Sequence, residues 1–116
     1  VFATWCKPCR AEIPELVAVH NSPESQVDVL FVSVDDPDLI TQEKLADFLK
    51  GMTVNFRSYH MDPTEAITFV GKYHPGWNEQ IPLNLVFTKE GRMVHATGMT
   101  DRHEIEMVVH KDQFLR

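Results

Sequence analysis

Cys6 and Cys9 are the two cysteines of this 116-residue chain, and they stand in Trp5-Cys6-Lys7-Pro8-Cys9, where one turn of helix would bring the sulfurs together. Such a CxxC pair at a strand-to-helix junction can be oxidised and reduced reversibly. Apolar Val1-Phe2-Ala3 reads as the end of a strand, and the helical run that follows places Cys6 at a helix N-terminus, where orphan N–H groups and the macrodipole favour a thiolate. Cys6 is therefore the candidate nucleophile. Cys9, one turn further in and expected to be more buried, is the candidate resolving thiol that attacks a mixed disulfide and releases the partner. Lys7 adds a positive charge nearby, and Pro8 fits the first turn, where its missing N–H costs little.

Two plainer chemistries compete for the same residues. A CxxC can be half of a zinc site, but no second cysteine pair exists and none of the six histidines falls in an H-x3-5-H spacing. A purely structural disulfide here would close a two-residue loop and constrain the unfolded chain little. Redox exchange is the stronger reading.

The elements that must position the cysteines follow from hydrophobic period. Ile13, Leu16, Val17 and His20 mark one face of a helix to about residue 20, kinked but not ended by Pro14 and closed by Asn21-Ser22-Pro23. Val27 to Val34 reads as a strand covered on both faces and ended by Asp35-Asp36-Pro37. Leu45, Phe48, Leu49 and Met52 give a second helix, with Gly51 at the expected left-handed cap, and residues 54–59 alternate as a strand near an edge. Asp62-Pro63-Thr64-Glu65 is a helix start with a capping box, followed by the stripe Ala66, Phe69, Val70 and Tyr73 and a stop by His74-Pro75-Gly76. Residues 83–88 and 93–97 form a hairpin through Lys89-Glu90-Gly91-Arg92. Thr100 is the expected cap of a last helix over about 101–111, with Ile105, Val108 and Val109 inward. The order predicts an α/β fold with a mixed, mostly parallel sheet and helices on both faces.

Composition is that of an ordinary globular chain, 43% hydrophobic and 24% charged, of a length suited to one domain. Its formal net charge of −6 argues against nucleic acid or an anionic membrane surface as partner. No apolar run in these residues approaches a membrane span, and none of them reads as a signal peptide. The chain opens at Val1 inside a hydrophobic segment, and is expected to lack the front of its first strand.

Phe2-Ala3-Thr4-Trp5-Cys6-Lys7-Pro8-Cys9-Arg10-Ala11-Glu12-Ile13-Pro14 resembles the TlpA/ResA-type thiol-disulfide oxidoreductases of the thioredoxin fold, whose WCxPCxxExP pattern is present in every fixed letter. The resemblance implies a single thioredoxin-like domain over residues 1–116, truncated at its N-terminus, because the fold normally has a strand before the one that leads into CxxC. It implies that Cys6 attacks and Cys9 resolves, that Glu12 lies beside the active site and influences thiol titration, and that Ile81-Pro82 is a cis-proline loop offering backbone groups to a substrate strand. Read on its own, Glu12 could take a proton from Cys9 or raise thiol pKa values by its charge, or it could be an exposed first-turn glutamate. Pro82 alone is equally a trans proline that starts a strand. Trp5 is expected to shield the disulfide and meet partner chains, with a core tryptophan as the alternative. Trp77, in the long loop 74–80, either lines a partner groove or pins the loop. The acid that many thioredoxins bury on the truncated strand is not evident in this sequence.

His60 beside Met61 raises copper as a possibility, although the copper-delivery relatives of the fold resemble a CxxxC spacing instead. The expectation is thus an enzyme without a cofactor beyond the Cys6–Cys9 couple, exchanging disulfides with protein substrates and recharged by a separate electron-donor protein. The resemblance implies the reductive direction and an extracytoplasmic location, in the bacterial periplasm or cell envelope, with any membrane anchor outside this chain. The alternatives are a copper- or zinc-binding module and a non-catalytic interaction domain with permanently oxidised cysteines.

Overall fold

The computed structural model describes residues 1–114. Helix α1 spans Lys7–Asn21 and runs through Pro14, with Cys9, Glu12, Ile13, Leu16, Val17 and Val19 on its buried side. Pro14 removes one intrahelical bond, and the apolar face on either side of it holds the helix together. Ile13 and Val19 are fully enclosed, each such burial contributing roughly 1.5–3 kcal/mol.

Strand β1 is Phe31–Ser33, and all three residues are buried although successive side chains point to opposite faces, so the strand is covered on both. It is shorter than the expected 27–34. The amide of Val29 explains the difference: it donates to His20 Nδ1 at 3.0 Å, leaving the ladder one residue before Leu30. His20 in turn stacks on Phe56 with ring centroids 3.7 Å apart.

Helix α2, Gln42–Gly51, is capped by the Thr41 side chain, and strand β2 is Ser58–His60. Gly51 is the last helical residue and not the left-handed cap. That conformation falls to Thr53, with φ of 53's backbone at +59°, and the next amide, Val54, closes back on Leu49 O at 2.9 Å. Val54 is thereby tied to the helix end, which is why β2 starts later than the expected residue 54. Helix α3, Pro63–Gly71, has Asp62 as cap and Pro63 in its first turn, as the sequence indicates. Strands β3, Asn84–Phe87, and β4, Met93–Thr97, form the antiparallel hairpin, with Gly91 at φ +87° in the turn. Helix α4, Arg102–Phe114, is capped by Asp101, whose Oδ1 accepts from Glu104 N at 2.8 Å. Thr100 is therefore not the cap; its hydroxyl donates to the Glu104 carboxylate.

The regular ladders are two separate pairs, β1 with β2 in parallel and β3 with β4 antiparallel. They are joined through Val1 and Phe2. Phe2 N donates to Val32 O at 2.9 Å and Val34 N to Phe2 O at 2.8 Å, a parallel bridge, while Leu83 N donates to Val1 O at 3.2 Å on the other side. The expected single mixed sheet is thus realised as two pairs bridged by two residues, because a central strand of that length supports only one bridge. Phe2 also anchors the core, edge-on to Phe31 and stacked with Phe48 of α2.

Candidate active site

The chain turns sharply between Phe2 and α1. Cys6 N donates to Ala3 O at 3.1 Å, so Ala3 to Cys6 form a reverse turn that throws Trp5 outward, 70% exposed. Trp5 is therefore a surface residue and not a core tryptophan. Cys6 is the N-cap of α1, and its sulfur accepts from Cys9 N at 3.3 Å. Pro8 occupies the first turn, where its lack of an N–H leaves nothing unpaired. The Cα atoms of Cys6 and Cys9 are 5.2 Å apart and the sulfurs form a disulfide. One turn of helix brings the pair together, as the spacing indicates.

Both cysteines are enclosed, Cys9 the more so, as the sequence indicates. Cys9 is 1% exposed, but Cys6 is only 4% exposed, so the sulfur of the candidate nucleophile is not open to solvent. Trp5, Lys7 and Pro8 form an exposed rim above it. Cys6 is covered where the turn meets the loop before β3, with Ile81 O 3.9 Å from its sulfur. In the disulfide that is a contact; a reduced Cys6 thiol would find an acceptor there.

The Ile81–Pro82 peptide bond is cis. Val1 N donates to Leu83 O at 2.8 Å, fastening this loop beside the cysteine turn. Next to it lies a groove of about 400 Å³ lined in part by His74, Trp77, Pro82 and Thr97. Trp77 lines this groove, and its Nε1 donates to Gln80 O at 2.9 Å, pinning the loop.

Glu12 follows Cys9 by three residues, which puts it on the same side of α1. It is 4% exposed, which excludes the reading of an exposed first-turn glutamate. Oε1 accepts from Asn84 Nδ2 at 2.9 Å and Oε2 from Thr100 N at 2.8 Å. Burial pushes its pKa up; the hydrogen bonds from Asn84 and Thr100 and the Val1 ammonium pull the other way, and the nearby Glu104 charge adds to the rise. The net effect is a carboxyl that holds its proton to a higher pH than a free glutamate.

The family model that matches this chain, over residues 1–96, is that of the AhpC/TSA family. The chain belongs to the AhpC/TSA family. No curated protein matches it. Among solved structures it is similar to a thiol:disulfide interchange protein, a thioredoxin family protein from Chlorobium tepidum TLS, with a TM-score of 0.76 and 24% identity over 95% of this chain and 74% of that one. The fold is thioredoxin-like.

Within this AhpC/TSA-family chain, the sequence reading missed one buried acid. Asp35 is 3% exposed and its carboxylate accepts from Thr4 N, Thr4 Oγ1 and Ser33 Oγ. Asp35-Asp36-Pro37 reads as a strand terminator, and Asp36 does serve the turn, accepting from Asp38 N at 2.9 Å. The available signal was parity: residues 31, 33 and 35 lie on one side of an extended chain, and the first two are buried. His60 is occupied on both ring nitrogens, by Gln42 Nε2 at 2.7 Å and Asp35 O at 2.8 Å. Among the described residues, no three His, Cys, Asp or Glu side chains are grouped to hold a metal ion.

Proposed function

We propose that this protein is a thiol-disulfide oxidoreductase of the TlpA/ResA type, a single domain that exchanges disulfides with protein substrates in the reductive direction outside the cytoplasm. The observation that carries the reading is the Cys6 sulfur at the mouth of α1, accepting the Cys9 amide and facing the Ile81 carbonyl. A thiolate at Cys6 keeps that amide donor and lies at the helix N-terminus, which favours its ionised form and makes it the attacking sulfur.

The exchange balances on the residues present. The Cys6 thiolate attacks one sulfur of a partner disulfide, forming a Cys6–partner disulfide and expelling the other partner sulfur as a thiolate. Cys9, deprotonated, attacks the Cys6 sulfur, forms the intramolecular disulfide and releases the second partner thiolate. Two electrons pass to the partner, and a donor dithiol returns them by the reverse steps. Glu12 is suited to take the Cys9 proton, since its raised pKa lies nearer that of a thiol than a free carboxylate's does. Trp5, Ile81 and Pro82 are the contacts for the partner chain. Because Cys6 is nearly enclosed, docking has to displace part of its cover before the sulfurs meet.

The test is insulin reduction with dithiothreitol. The wild-type protein is expected to accelerate precipitation and Cys6→Ser to give the rate of dithiothreitol alone; a wild-type protein with no acceleration overturns the reading. Equilibration with glutathione checks the class: a potential between roughly −120 and −270 mV fits an exchange catalyst, and one far below about −300 mV an inert bridge. Location is checked by expressing the natural gene product and finding which side of the cell membrane a protease reaches.

A further inference from the structure

Asp35 stands where the backbone ladder ought to continue. Phe2 pairs with Ser33 in parallel, through Phe2 N to Val32 O and Val34 N to Phe2 O. The next bond of that ladder would run from Thr4 N to Val34 O. The chain has instead begun its turn toward Cys6, and the second residue of a reverse turn has no partner for its amide inside the turn. The Asp35 carboxylate fills the place, accepting Thr4 N at 3.1 and 3.0 Å on its two oxygens. It also accepts the Thr4 hydroxyl at 2.7 Å and the Ser33 hydroxyl at 2.6 Å. The Ser33 hydroxyl has two roles: its O–H donates to the carboxylate and its oxygen accepts from Asp35 N at 3.1 Å. His60, with Nδ1 accepting from Gln42, carries its proton on Nε2 and donates it to Asp35 O. The acid is thus held from its own backbone as well as through its side chain.

Thr4 is the second residue of the turn whose fourth is Cys6. Fixing the Thr4 peptide and hydroxyl fixes where Cys6 leaves the turn, and hence whether its sulfur lies under the Cys9 amide. We propose that Asp35 is a positioning residue, acting through Thr4 to hold the Cys6 sulfur at the start of α1 and so to set its reactivity. The inference deepens the thiol-disulfide reading and rests on it for its meaning in catalysis.

Cys6 is read alone in a Cys9→Ser background by its rate of alkylation with iodoacetamide at pH 7, with circular dichroism reporting the folded fraction. Asp35→Asn keeps the shape but turns an acceptor into an NH2 that confronts a hydroxyl donor. It is expected to slow alkylation of the folded protein about tenfold, the loss that one pKa unit of thiolate stabilisation gives. Thr4→Val, which removes one hydroxyl from a half-exposed residue, is expected to slow it about threefold, and Thr4→Ser, which keeps the hydroxyl bond to Asp35, to stay within about twofold of the parent. Wild-type rates in both folded Asp35→Asn and Thr4→Val overturn the proposal. If Asp35→Asn does not fold, the Thr4 pair decides: a slow Thr4→Val beside a normal Thr4→Ser supports it, and equal rates overturn it. This order of rates among the variants, found beside a wild-type protein that fails to reduce insulin, overturns the proposed function and leaves the positioning role standing.

Discussion

The cysteine turn is flanked by two carboxylates enclosed to nearly the same degree, Asp35 on the β1 side and Glu12 on the β3–β4 side, and the two sides are built differently. Asp35 is met by a backbone amide and two hydroxyls, all aimed at its oxygens, in a cluster that ends at the residue two before Cys6. Glu12 is met by two donors, one of which, Asn84 Nδ2, is shared with Gly98 O at 2.8 Å. Burial outweighs those bonds and pushes Glu12 up. Equal concealment therefore does not mean equal surroundings: one acid brackets the cysteine turn through Thr4, while burial raises the pKa of the other.

The sharpest way to break this contrast is to delete the bracket. Asp35→Ala leaves Thr4 N and two hydroxyls without their acceptor in an enclosed site, and is expected to lower stability by about 3 kcal/mol, measured as a shift of the urea midpoint at constant slope. Asn84→Ala removes one of the Glu12 donors and is expected to cost about 1–2 kcal/mol. It should also raise the Glu12 pKa further, visible as a carbonyl band of the protonated acid that persists to higher pH in infrared spectra.

The third comparison is in the pH dependence of stability. With Glu12 raised in the folded protein, the folded state binds the proton more tightly than the unfolded chain, so stability is greatest at low pH on this account and is lost as pH rises through the folded pKa. A single proton limits the slope to about 1.4 kcal/mol per pH unit. Glu12→Gln is expected to remove that slope. A slope unchanged in Glu12→Gln would mean that burial does not raise Glu12.

What the sequence made legible was local. The CxxC at a helix start, Pro8 in the first turn, the Asp62-Pro63 cap and the glycine turn of the hairpin each depend on residues a few positions apart, and each is where its residues put it. Distant partners decided the rest. β1 is short because His20 takes the Val29 amide, and β2 is late because Val54 is bound to the end of α2. Asp35 looked like turn chemistry because its partner Thr4 lies 31 residues away, and the true setting of Glu12 needed Thr100, 88 residues away. The contact of the Cys6 sulfur with Ile81 O joins residues 75 apart, which hydrophobic period cannot place together.

Trp5 carries a last consequence. The protein has two tryptophans, and Trp77 is half-enclosed with its indole N–H engaged, whereas Trp5 lies in water next to the sulfur pair. Its emission should be long-wavelength and open to collisional quenchers, and it adjoins a group that itself quenches when oxidised. The native chain thus has a built-in optical gauge: brightening on reduction reports the state of the sulfurs, and a blue shift reports a visitor settling over the indole, with no label attached.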